Sequence, residues 1–189
     1  MLVRKKLYLL LTLIGIGSAQ AQISYTVLQL GGNFGVANKG YQGAFSGFAG
    51  HFIFGKSFDE KAYLGFGVGN EQLKGDYRSK ASAQLAEPSL KYDYNLFPLF
   101  VDARLPLLTV GQNNSKVGIL ANAGYAPAIG ARYDKGFLLK SGFFYLLDNP
   151  KSVDFSISLA HGYQQLTKNF YQNNFQHQQV ALAVGIIFK

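Results

Sequence analysis

Four charged residues sit where charge is hard to keep. Asp102, Arg104, Lys140 and Asp154 lie on one face of alternating segments whose opposite face is apolar. Charges held away from water are costly unless they pair. Two acids and two bases sharing an enclosed face therefore predict an internal ion-pair network. The functional alternative is a path for protons or solute. Which reading applies depends on how wide an interior the surrounding elements enclose.

Metal and nucleophile chemistry have weaker footing. His51, His161 and His177 are the three histidines, and there is no cysteine. No pair of them has metal-ligand spacing with a carboxylate beside it. Ser158 and His161 could be drawn together with a carboxylate as a hydrolytic set. A serine nucleophile needs its base within hydrogen-bond reach. Ser158 and His161 fall on opposite faces of one strand, because successive strand side chains alternate. No catalytic residue, metal or cofactor is expected.

The elements that carry these residues are alternating segments separated by turn residues. The closing one is the plainest. Val180, Leu182, Val184, Ile186 and Phe188 share one face, and Ala181, Ala183, Gly185 and Ile187 share the other. Seven more precede it: Tyr25–Val36, Ala44–Lys56, a segment around Tyr63–Gly69, Asn95–Leu105, Lys116–Ala126, Gly136–Leu147 and one from Val153 to Leu159. Pro98 cannot donate to a strand ladder, so a bulge is expected at Asn95–Pro98. Short turns at Ser57–Glu60, Thr109–Ser115 and Asp148–Ser152 alternate with longer connections at Ala37–Gly43, Glu71–Tyr94, Pro127–Lys135 and Gln164–Phe175. Within the longest, Gly75–Ala86 reads as exposed loop. Asn169–Gln179, rich in amides and aromatics, reads either as a loop for glycan or protein contact or as a strand pair prolonged beyond the wall.

The N-terminus reads as a secretory signal over residues 1–21. Arg4, Lys5 and Lys6 precede an apolar run from Leu7 to Gly17, and Ala19-Gln20-Ala21 offers a cleavage site. The run is too short for a spanning helix. Residues 22–189 make one domain. Charged residues are 15% of the chain, beside 22 Gly, 16 Phe and 12 Tyr. Soluble domains carry about 25% charge. The +8 formal charge includes the three basic residues of the signal, and the remainder are scattered, so nucleic-acid binding has little support.

Alternation does not say which face is outside. A soluble carrier barrel has the same period with its apolar face inward. Here the polar face is small and poor in charge, which suits a narrow lumen. Aromatics also sit near both ends of the apolar face: Phe34, Tyr125, Phe137 and Tyr163 toward one boundary, Phe54, Tyr145 and Phe188 toward the other. Two aromatic girdles flanking an apolar band are the pattern of a membrane-spanning barrel. Leu64, Phe66, Val68, Val101, Ile157 and Val184 should then face lipid. The fold expected is all-β: an eight-stranded antiparallel up-and-down transmembrane β-barrel, with a lumen just wide enough for side chains to fill it.

The signal, the strand count, the Gly/aromatic alternation and the closing Val-Gly-Ile-Ile-Phe-Lys resemble the small outer-membrane β-barrels of the OmpA/OmpX-like family. The resemblance covers Ile23 to Lys189. It implies residence in the outer membrane of a Gram-negative-type envelope. It implies contact with outer-membrane lipid and lipopolysaccharide, and delivery by the barrel-assembly machinery. A surface protein or glycan is the further partner expected at the loops, and no nucleic acid is. The function expected is structural or surface interaction with a plugged polar lumen. A lipid-modifying enzyme and a soluble periplasmic lipocalin-like carrier are the alternatives.

Overall fold

A computed structural model describes residues 22–80, 88–111, 114–149, 153–169 and 173–188. Among the described residues there are ten strand segments: β1 (Gln22–Asn38), β2 (Tyr41–Gln42), β3 (Ser46–Phe58), β4 (Ala62–Ser79), β5 (Leu90–Leu96), β6 (Leu99–Val110), β7 (Ser115–Ala126), β8 (Gly136–Leu147), β9 (Val153–Asn169) and β10 (Asn173–Phe188). Pairing runs antiparallel through β1, β3, β4, β6, β7, β8, β9 and β10, and β10 pairs back onto β1. The sheet is therefore a closed ring.

The expected count of eight strands is corrected to ten segments, for two local reasons. Pro98 interrupts one wall strand, so β5 and β6 both pair with β4, on either side of the break. The Gly69 amide donates to the Pro98 carbonyl across it. The second addition is β2, two residues in the β1–β3 connection that bridge Asn38 to Arg78 and Ser79. Eight positions around the wall remain.

The register fixes the incline of the strands. Following paired residues around the ring from Thr26 leads through Phe54, Phe66, Val101, Ala123, Leu139, Tyr163 and Gln178 to Ala37. The path returns to β1 eleven residues further on, with an irregularity between Gly35 and Ala37. A stagger of that size tilts the strands by about 40°. Corrected for this tilt, Phe34, Tyr125, Phe137 and Tyr163 stand at nearly one height. Phe54, Tyr145 and Phe188 stand at a second height, about 20 Å lower at the usual rise per residue. All seven project from the outer surface of the ring.

The apolar face is outside. Leu64, Phe66, Val101, Ile157 and Val184 are exposed, and Val68 is half-buried on the same face. Inside, one apolar cluster fills the lower bore, built on Tyr25, Ile53, Tyr63, Phe100, Leu120 and Phe144. A second fills the upper end, built on Phe45, Leu73, Tyr77, Tyr92, Leu96, Leu166 and Phe175. The interior is thus less uniformly small and polar than alternation predicts. The inward glycines make room for these rings: a Cβ on Gly67 would overlap the Phe100 ring.

The long connections are largely strand. β4 continues to Ser79 and β5 begins at Leu90, so the loop expected over Glu71–Tyr94 is corrected to a strand pair rising above the upper aromatics. Gly75–Ser79 belong to β4, and residues 81–87 lie outside the described residues. Similarly, β9 and β10 continue through most of Gln164–Phe175, and Phe175 and His177 are buried. Strand persists because each extended pair still has an inward face to bury. The Gly67–Phe100 contact makes a test. Gly67→Ala should lower stability by about 1–3 kcal/mol through overpacking. The midpoint of urea unfolding from lipid vesicles would measure it, and an unchanged midpoint would show that the ring does not pack there.

Candidate functional site

The structure places Asp102, Arg104, Lys140 and Asp154 all inside the ring and buried. It does not join them in one network, and that expectation is corrected. Arg104 Nε donates to Asp102 Oδ1 at 2.9 Å. Asn122 Nδ2 donates to Asp102 Oδ2 at 2.7 Å, and Arg104 also reaches Gln29 Oε1 at 3.1 Å. Lys140 turns instead to Glu71, donating to Oε1 at 2.6 Å. Asp154 lies toward the lower end of the bore, where its Oδ1 accepts from the Asn149 amide at 3.0 Å. The separation follows from tilt: residues that share an inward face on different strands enter the bore at different heights.

Glu71 is the group that sequence reasoning missed. It is 1% exposed and sits at the centre of the upper polar layer. Its Oε1 also lies 2.9 Å from His51 Nε2, and its Oε2 accepts from Asn33 Nδ2 at 2.9 Å. Three groups, from β1, β3 and β8, thus meet on one carboxylate of β4. The signal was available. Tyr63, Gly65, Gly67 and Gly69 face inward, and the same parity carried on reaches Glu71 and Leu73.

Each buried carboxylate of the two layers has a cation and an amide donor. Between the layers lies a cavity of about 40 Å³, lined by Gln29, Asn33, His51, Glu71, Asn122 and Lys140 among others. That is room for only about a few water molecules. His51 is lumenal, with its ring edge-on to Phe100 at 5.2 Å. His161 is exposed on the outer wall, while Ser158 faces inward, so the two form no dyad. His177 is buried in the upper cluster, where its Nδ1 pairs with Asn38 Oδ1 at 2.9 Å. Among the described residues no group of His, Cys, Asp and Glu could hold a metal ion.

Further polar contacts lie at each end of the ring. At the upper end Asp134 accepts from the Tyr92 hydroxyl at 2.7 Å and from the Lys135 and Thr167 amides at 2.6 and 3.0 Å. This fastens the Pro127–Lys135 connection to β5 and β9. Burial, and then the Asp134 carboxylate, push the Tyr92 hydroxyl well above the usual phenol range. At the lower end Lys116 pairs with Glu60 and lies 4.0 Å from Asp148.

This geometry defines an antiparallel β-barrel whose sheet closes on itself, with ion pairs inside the ring. Among solved structures it superposes on the crystal structure of Neisserial surface protein A with a TM-score of 0.51 and 14% identity, over 90% of this chain and 99% of that one. The likeness is one of fold. No protein-family profile matches the sequence, and no curated protein aligns with it.

Two predictions follow from these contacts. Glu71→Ala strands the Lys140 ammonium in the bore and should cost about 3–5 kcal/mol. Adding Lys140→Met should recover part of that, read as a double-mutant cycle of unfolding free energies. Additive losses would show that the two groups do not interact. Alkaline titration probes the upper end. The folded Tyr92 pKa is raised above the ordinary phenol value of 10.0, so its contribution to stability is fully present below pH 10.0 and is lost as pH rises beyond it. The protection factors of β5 amides, taken relative to the intrinsic base-catalysed rate, should therefore fall above that pH, and Tyr92→Phe should abolish this fall.

Proposed function

We propose that this chain is an outer-membrane barrel, closed to solute flow, whose role is structural or surface interaction through its upper extension. One observation carries the reading. The bore is crossed by two ion-paired layers with about 40 Å³ left between them, while the apolar residues face outward around the ring. An apolar belt on a sheet without edges is what hydrocarbon requires, since every wall backbone group can be paired internally. The segment 1–21 would direct export, and the two rings of aromatics would sit at the two membrane interfaces.

The upper extension then rises outside the cell. It exposes Lys39, Lys74, Lys80, Lys91 and Arg132, and Lys74 pairs with Asp93 at 3.2 Å. Basic side chains just above an interface suit the phosphates of lipopolysaccharide. A surface protein or glycan would meet the same extension. We take the role to be non-enzymatic, since Ser158 and His161 lie on opposite faces of β9.

Two measurements test this reading. Purified protein in planar bilayers should show no sustained conductance, and a stable large conductance would make the chain a channel. Ile157→Arg places a cation in mid-belt and should cost about 2–4 kcal/mol of folding into vesicles. No loss would remove Ile157 from the lipid.

A further inference from the structure

The outer wall is not an even cylinder. On the seam formed by β9, β10, β1 and β3 it carries two open apolar hollows. The lower is about 460 Å³, lined by Leu28, Leu30, Phe155, Ile157, Val184 and Ile186 among others. The upper is about 450 Å³, lined by Leu30, Gly32, Phe34, Phe48 and Leu182 among others. They share Leu30. Corrected for tilt by the strand registers, one stands above the other. Together they form a trench that starts under Phe34 and Phe48 and descends about 15 Å at the usual rise per residue. That is roughly the depth of one leaflet of a hydrocarbon core.

Two glycines floor the upper half. Gly32 and Gly50 face outward, whereas the other glycines of the described wall strands face inward. An outward glycine makes no room for a ring in the bore. Glycine inside a strand weakens it, and it marks places where a ligand or another chain comes close. Leu30 lies opposite Gly50, and Phe48 opposite Gly32. A Cβ on Gly50 would meet Leu30 Cδ2 at 3.4 Å, and one on Gly32 the Phe34 ring at 3.3 Å. A larger side chain at either position would fill the trench. The rim stands high: Phe48 is 78% exposed and Leu30 61%. A third hollow, lined by Leu64, Ala103, Leu105 and Ile119 among others, lies on the far wall near the lower aromatics and has no outward glycine.

The upper mouth is polar. Above Phe48 the outward positions are Ser46 on β3 with Gln72 and Lys74 on β4, and Ser46 pairs with Lys74. Lys74 stands about 7 Å above Phe34 and Phe48, at the depth of lipid headgroups. It pairs with Asp93 at 3.2 Å, and both side chains are exposed. Such a pair is weak, so the ammonium is open to a phosphate as well.

We propose that the trench holds one acyl chain of a phosphate-bearing lipid of the outer leaflet, whose phosphate meets Lys74. This rests on the membrane reading above, with the upper strands outside. Between the two rings of aromatics there is no water, so an acyl chain or another barrel must fill the trench. Another barrel does not fit. Its wall is convex, and Phe48 and Leu30 on the rim hold it off the glycine floor. Contact between apolar surfaces gains no hydrophobic energy in hydrocarbon. Close packing and the phosphate–ammonium contact therefore retain the lipid.

Native mass spectrometry tests this. The unmodified chain, folded in vesicles and extracted into a neutral detergent, is titrated with dimyristoyl phosphatidic acid. A parallel titration uses dimyristoylglycerol, which has the same chains and no phosphate. One phosphatidic acid should bind per barrel, saturably, at least about tenfold more tightly than dimyristoylglycerol. Gly50→Leu fills the trench and should weaken binding at least about tenfold. Gly32→Leu repeats the test if Gly50→Leu loses its folded mobility on unheated gels. Ala121→Leu, on the far wall, should leave binding unchanged. Lys74→Gln should bring phosphatidic acid down toward dimyristoylglycerol. Equal binding of the two lipids, or undiminished binding by a folded trench-filled variant, overturns the proposal. So does a lipid-free dimer that filling the trench disrupts, which would assign the trench to a second copy. A chain that fails to enter vesicles at all would instead sink the membrane reading.

Discussion

Everything in this molecule depends on the pairing of β1 with β10. From Thr26↔Phe188 to Asn38↔His177 the first and last strands close the sheet on itself. Closure abolishes edges over most of the wall, which is the condition for placing a sheet in hydrocarbon. It also fixes the size of the bore. Eight wall positions with this stagger leave an interior that side chains can fill. The ends of the chain thus set a constraint that residues far from them must meet.

The inward residues answer that constraint in layers. Tyr25, Tyr63, Phe100 and Phe144 fill the lower part with apolar volume. Asp102 and Arg104 sit among them, and above come Glu71 with Lys140 and His51, then the aromatic cluster around Phe45 and Phe175. Replacing such pairs by apolar groups would often be no less stable, but removing one partner leaves a buried charge. The polar layers therefore lock the wall strands to one another in register. Glu71 alone ties β4 to β1, β3 and β8.

The two ends of the ring differ in strand length and packing. The upper strands extend past the aromatics and carry their own core, with Phe45 stacked on Tyr92 at 4.1 Å and Phe175 set against Tyr41, Tyr77 and Tyr92. A rigid platform of this kind holds its exposed rim in place. The lower end is shorter and uneven, with one hairpin projecting past its neighbour. Both features follow from strand length relative to the adjacent strand.

The sequence by itself determined the wall. Alternation is a local property of an extended chain, so Leu64, Phe66, Val101, Ile157 and Val184 could be placed on one face, and Asp102, Arg104, Lys140 and Asp154 on the other. The break at Pro98 was legible for the same reason, since a missing N–H is a local fact. Glu71 was within reach of the same argument and was lost only because the strand was ended too early. Tertiary structure alone decided which inward charges of different strands meet. Partners on different strands are set by the stagger around the ring, a sum over every register, and no single segment contains it. That sum brings Lys140 to Glu71 and sends Asp154 to the lower end.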